Sequence, residues 1–243
     1  MHKKMKNTLI FSLLAVFLLI SCFIQPSIRG NGNVTKEQRT VSSFNKIEIS
    51  SGPFTVYLSQ GETESVEVEI DDNLQQYIEV RNDGSKLVLD VRDKMNLGKT
   101  TKNNIYVSLQ NIDLLSISGV CKVRTTGSLR CENFTLNVNG VSDGEMEVYC
   151  KKLDANISGV GNLELQGNTT ELNIRQSGVG NFNARKLIAE KVDVVNSGVG
   201  SVSVYASQEL SMSNSGVGSI SYSGDATIKN IQTSGIGKIN KVD

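Results

Sequence analysis

The chain has 243 residues, 38% hydrophobic and 21% charged, with 22 Gly and 2 Pro, a composition of one large globular domain or two small ones rather than of a disordered protein. Its 25 basic and 25 acidic side chains cancel, so no basic footprint points to nucleic acid. The only histidine is His2 and Trp is absent; with the N-terminus removed, Ser-His-Asp and Cys-His catalysis and His-ligated zinc are excluded, and aromatics at 5% argue against a base-stacking or sugar-stacking platform.

Lys3, Lys4 and Lys6 precede an apolar run of 12 residues from Leu9 to Ile20. The run is too short for a permanent bilayer span and reads as an export signal. Leu19-Ile20-Ser21-Cys22 follows and resembles a bacterial lipobox, so Cys22 is expected to be the acylated first residue of the mature chain. An ordinary secretory signal or an uncleaved anchor is the alternative, disfavoured because an Ala-x-Ala cleavage site is missing. Loss of residues 1 to 21 leaves 22 basic and 25 acidic side chains, a net charge of −3. Residues 22 to 35, with Pro26, Gly30 and Gly32 and no sustained period, read as a flexible tether.

Residues 36 to 110 alternate apolar and polar side chains without a fixed repeat length. Ile47 to Leu58 gives a strand, a Ser51-Gly52 bend and a second strand; Val66 to Ile70 and Leu87 to Val91 are further strands. Asp83-Gly84 reads as a hairpin turn and Asp93 to Asn104 as a polar loop. This half is expected to form wider, irregular coils or a cap.

From residue 111 a short motif recurs seven times, centred on Gly119, Gly140, Gly159, Gly178, Gly198, Gly216 and Gly235, at separations of 21, 19, 19, 20, 18 and 19 residues. The fourth residue before each glycine is apolar in every copy, from Leu115 to Ile231. The fourth after is apolar in six, Gly144 being the exception. Polar residues alternate between these columns, which means strands with one buried face and excludes helices. About 19 residues complete one coil of a parallel β-solenoid, with equivalent residues about 4.8 Å apart on adjacent coils. The Val or Ile following each glycine is expected to point inward and the Ser or Asn preceding it to form an outer ladder. The column nine residues before the glycine, with Cys131, Cys150, Thr169 and Ala189, is small and suggests a tight corner.

Repeated Ser-Gly-Val-Gly with flanking strands, the Phe44-x-x-Ile47 strand, the Gly30-Asn31-Gly32 segment and the lipobox together resemble the putative auto-transporter adhesin family, head GIN domain, over about residues 40 to 243. The resemblance implies an all-β, single-stranded parallel β-helix, right-handed, in a cell-envelope protein of Bacteroides-type bacteria; it brings no catalytic residue with it. Eight residues beyond Gly235 are too few for a membrane barrel, so self-secretion is not expected of this chain. Surface lipoproteins of such bacteria tend to carry acidic residues after the lipidated Cys. Phe23 to Ser27 has none, which favours an outer-membrane anchor with the solenoid on the periplasmic side.

Two carboxylate pairs could serve a glycosidase, Glu145 with Glu164 on adjacent coils and Asp154 with Asp193 two coils apart around Asn173. Exposed strand positions in a charged protein are acidic by default, and Ser203, Ser211 and Ser221 dilute the same columns, so the chain is expected to be no enzyme, with no cofactor and no metal site. Gly-Val-Gly is no dinucleotide fingerprint without a following helix. Cys121, Cys131 and Cys150 allow at most one disulfide beside a lipidated Cys22; parallel side chains at Cys131 and Cys150 favour reduced thiols instead. The expected function is binding of a macromolecule as adhesin or envelope scaffold, with a polysaccharide-binding module or β-helix enzyme as the alternative, a membrane partner through the lipid anchor, and self-association open through the ends or faces of the solenoid.

Overall fold

The computed structural model describes residues 27–242. Residues 1 to 26, with the expected signal peptide and Cys22, lie outside that range. The described chain is a β-solenoid of about seven turns, some 19 residues apart. Leu115, Leu136, Ala155, Ile174, Val194, Met212 and Ile231 lie in one register across successive coils, and the first six of these side chains are buried. Val123, Leu163, Phe182, Val202 and Ile220 form the facing column, equally buried. Gly144 stands in that column at a point where a side chain would strike Leu163, whose own side chain occupies the space.

The Val column is the clearest departure from expectation. Val120, Val141, Val160, Val179, Val199 and Val217 do stack coil upon coil, but each points outward and is about half exposed, and Ile236 is 79% exposed. The reason is parity. Alternation runs unbroken through the bend, so if the fourth residue before the glycine faces in, the glycine itself faces in and its successor faces out. The inner side of the corner has no room for a side chain: at Gly178 a Cβ would overlap the Gly159 carbonyl oxygen, and at Gly180, with φ of +137°, it would overlap that of Gly161.

At the N-terminal end, Lys46–Ile49 and Phe54–Gln60 stack in parallel on Leu114–Ile117 and Val120–Thr125, so this stretch forms a coil of the solenoid. Lys86–Val91 and Asn103–Leu109 extend the two sheets in parallel by one more strand each. Antiparallel strands then close the end: Ile78–Asp83 against Lys86–Val91, with Gly84 in the turn at φ of +60°, and Ser65–Asp71 between Asn103–Leu109 and Val34–Arg39. These hairpins are the cap. The stretch read as a tether is docked from Ser27 onward: Ser27–Ile28 pairs with Asn96–Leu97, the Gly30 N–H donates to Lys99 O, and the Gly32 N–H donates to Asp71 Oδ1 at 2.7 Å. Asp71 is fully buried and also accepts from the Thr101 N–H and hydroxyl, bonds a loose linker would not supply. At the opposite end the strand Thr227–Thr233 is exposed at every residue, and Ile231 leaves its otherwise buried column at 46% exposure.

Candidate functional site

The strand that follows each Ser-Gly-Val bend turns its polar residues outward, and because the coils are in register these residues line up across the solenoid. Asp143, Asn162 and Asn181 form one row. Asn162 Nδ2 donates to Asp143 Oδ1 at 3.5 Å and Asn181 Nδ2 to Asn162 Oδ1 at 3.0 Å, while the backbone N–H groups of Asn162, Asn181 and Ser201 donate to the side-chain oxygen one coil earlier. The row thus gives these backbone amides side-chain acceptors on the neighbouring coil. Beside it, Arg124 pairs with Glu145 at 3.3 Å and Lys186 with Glu164 at 2.7 Å. Farther along, Gln166 donates to Glu147 at 3.3 Å.

Two adjoining hollows of about 410 and 680 Å³ run over these rows and share Arg124, Glu145 and Glu164. The second reaches Tyr57, whose ring stacks on Tyr106 with centroids 5.1 Å apart. The floor of this groove is hydrogen-bonding and charged, with carboxylates, amides, hydroxyls and cations interleaved. Such a surface suits a polar polymer or a polar protein face. It does not suit an acyl chain, which needs apolar walls.

Glu145 and Glu164 face each other across adjacent coils as the sequence indicates. Each carboxylate has its own cation, and their side chains are 61% and 39% exposed, whereas a glycosidase acid depends on withdrawal from water. Asp154, Asn173 and Asp193 also stand in register, and Asn173 Nδ2 donates to Asp154 Oδ1 at 2.7 Å; the amide keeps the two acids apart. Among the described residues no group of three or more His, Cys, Asp or Glu is placed to hold a metal, and no helix is long and apolar enough to cross a membrane.

The seven motif glycines sit at the corners and position the groove strands rather than entering the groove. The outer ladder before them is exposed, with Ser158 Oγ donating to Asn139 Oδ1 at 2.7 Å. The sequence reading missed an inner ladder. Gln176, Asn196 and Asn214 are buried in the column that carries Ile117, Val138 and Ile157 in earlier coils. Gln176 and Asn214 donate to Gly180 O and Gly218 O at 2.8 and 2.9 Å, and Asn196 donates to Asn214 at 3.1 Å. The only available signal was the polar residue two before the glycine, where parity demands an inward side chain. Cys22, the expected lipidation site, lies outside the described residues.

No curated protein matches the chain. Among solved structures, a putative adhesin from Bacteroides fragilis is similar over 89% of this chain and 100% of its own, with 26% identity and a TM-score of 0.84. A putative lipid binding protein from Parabacteroides distasonis (22% identity, TM-score 0.67, 90% and 100% covered) and a putative adhesin from Parabacteroides merdae (20% identity, TM-score 0.66, 89% and 99% covered) share the fold. With the stacked Ser-Gly-Val-Gly corners and the hairpin cap in place, and a family model matching residues 43–226, the chain belongs to the putative auto-transporter adhesin family, head GIN domain.

Proposed function

We propose that this protein is a non-catalytic lipoprotein of the cell envelope, acylated at Cys22 and held in the outer membrane, whose solenoid binds a macromolecular partner through the groove over Asp143, Asn162 and Asn181. The observation that carries the reading is the groove itself, in which in-register coils repeat hydrogen-bonding groups at the strand spacing of about 4.8 Å. The adhesin description of the family and of the Bacteroides fragilis relative supports a binding role in the envelope. A repeated row of amides and acids beside Tyr57 favours a polysaccharide as the second reading, since planar amides and carboxylates match sugar hydroxyls.

Arrays of polysaccharides and of surface proteins probed with the purified chain test the groove. Saturable binding is expected, lost in Asn162→Lys and retained in Ser211→Lys on the other face. Equal binding by both variants overturns the assignment. Cell fractionation tests the anchor: the wild type is expected with membranes and Cys22→Ala in the soluble fraction, because acyl chains contribute about 0.8 kcal/mol per buried CH₂. Protease treatment of intact cells reads the orientation, and shaving of the solenoid without lysis overturns the periplasmic side.

A further inference from the structure

Cys131 and Cys150 meet at a corner between two coils. The strand ladder lapses there: Leu129–Arg130 ends before Cys131 and Asn133–Val138 begins after Glu132, while Arg130 faces Tyr149 and Asn133 faces Lys152. Cys131 therefore faces Cys150. Backbone bonds clamp the pair on both sides, from the Cys131 N–H to Tyr149 O at 3.1 Å and from the Lys151 N–H to Glu132 O at 2.9 Å. Cys150 Sγ lies 3.5 Å from Thr169 Oγ1. Side chains in a regular strand pair stand parallel and discourage a bond, but Cys131 lies in the gap between two strands, outside the regular ladder. Both are half-buried thiols, and a hollow of about 550 Å³ lined by Ser43, Asn45, Glu64, Asp113 and Glu132 opens onto Cys131.

We propose that Cys131 and Cys150 form a dithiol site that reacts with a disulfide-bearing oxidant and closes to an intercoil disulfide. The two sulfurs are unequal. The Cys131 thiol, donating to Cys150, holds the latter below the usual thiol range; that same bond, burial, and the charges of Asp113 and Glu132 push Cys131 up. Cys150 is therefore the attacking thiolate. Its sulfur bonds to one sulfur of the oxidant and expels the other as a thiolate, giving a mixed disulfide at Cys150. Cys131 then loses its proton to solvent and its sulfur attacks Cys150 Sγ, releasing the second half of the oxidant. Two protein thiols are oxidised and one disulfide is reduced to two thiols. Cys121 is left out, since burial pushes its thiol up to about 11 and its neighbour is Ser142.

The sequence makes the test direct, because cleavage after Arg130 and Lys151 releases Cys131 and Cys150 in one peptide. The folded full chain is incubated with oxidised glutathione, denatured, alkylated and digested, and the peptide is weighed. The expected product carries no alkyl group and is lighter than the reduced peptide by two hydrogens, while Cys121 is alkylated. The same treatment in urea is expected to scatter the bonds among the cysteines. Two alkyl groups on the peptide, a lasting glutathione adduct, a bond to another cysteine, or the same single product from the unfolded chain would overturn the proposal.

Discussion

Glu69 shows what one residue does for the cap. It is 5% exposed on the antiparallel strand Ser65–Asp71, and a lone buried carboxylate there would be costly. Its oxygens accept from Lys102 Nζ, Asn104 Nδ2 and the Tyr106 hydroxyl, each at 2.8 Å. The Lys102 ammonium, helped by Asn104 and Tyr106, outweighs burial and holds the carboxyl down at about 2. An unfolded Glu titrates near about 4.3, so the difference contributes on the order of 3 kcal/mol to folding above that pH. Because the folded value is the lower one, the contribution is complete above about pH 4.5 and declines as pH falls toward 2. Glu69→Gln is therefore expected to unfold at lower urea concentration than wild type at pH 7, by about 2 to 3 kcal/mol, with the gap closing near pH 2. A gap that does not change between pH 7 and pH 2.5 refutes the role given to the charge.

At the scale of the element, parity governs the coil more strictly than residue type. Period-two alternation with columns anchored at Leu115 and Val123 makes the strands, their register and the seven corners legible in the sequence. The same alternation places Val199 outside, and reading the valines as core by their hydrophobicity alone contradicts it. Val202 and Val199 are three residues apart, on opposite sides of the wall. Val202→Asp buries a charge without a partner and is expected to abolish cooperative unfolding. Val199→Asp is expected within about 1 kcal/mol of wild type. Comparable melting of the two variants sinks the register. Gly180→Ala should cost at least about 2 kcal/mol, since a Cβ at a φ of +137° would also overlap the Gly161 carbonyl of the preceding coil, and a melting temperature equal to that of wild type would refute the close approach. The Gln176, Asn196 and Asn214 ladder and the groove were not legible for a common reason. Both depend on which side chains meet across coils at one height, a property of stacking that a linear pattern carries only for apolar columns. The docked N-terminal segment escaped notice because Asp71, which holds it, lies about forty residues away in sequence.

For the whole molecule, that docking would couple an anchor at Cys22 to the direction of the solenoid. Asp71 sits deep in the cap, where burial, the largest single influence, pushes its carboxyl up and the bonds from Thr101 and Gly32 together outweigh it, holding it below the usual carboxylate range. A side chain on Gly30 would overlap that carboxylate, so the backbone is seated directly against it. Ser27 is thereby fixed beside Asn96, and even fully extended the five peptide steps from Cys22 to Ser27 span no more than about 18 Å. Seven coils at about 4.8 Å place the far end roughly 30 Å from the first coil. If Cys22 carries the lipid, the hairpin cap lies near the bilayer and the exposed last coil, with Ile231 and Ile236, points away from it. A photoactivatable probe confined to the lipid phase is expected to label the cap around residues 96 to 101 and to spare residues 227 to 241, with no labelling in Cys22→Ala. Asp71→Ala should release the segment from Ser27 to Val34, lengthen the reach of the anchor and spread the label along the coils. Labelling of the last coil in preference to the cap in the wild type would show that the solenoid lies the other way, or flat, on the membrane.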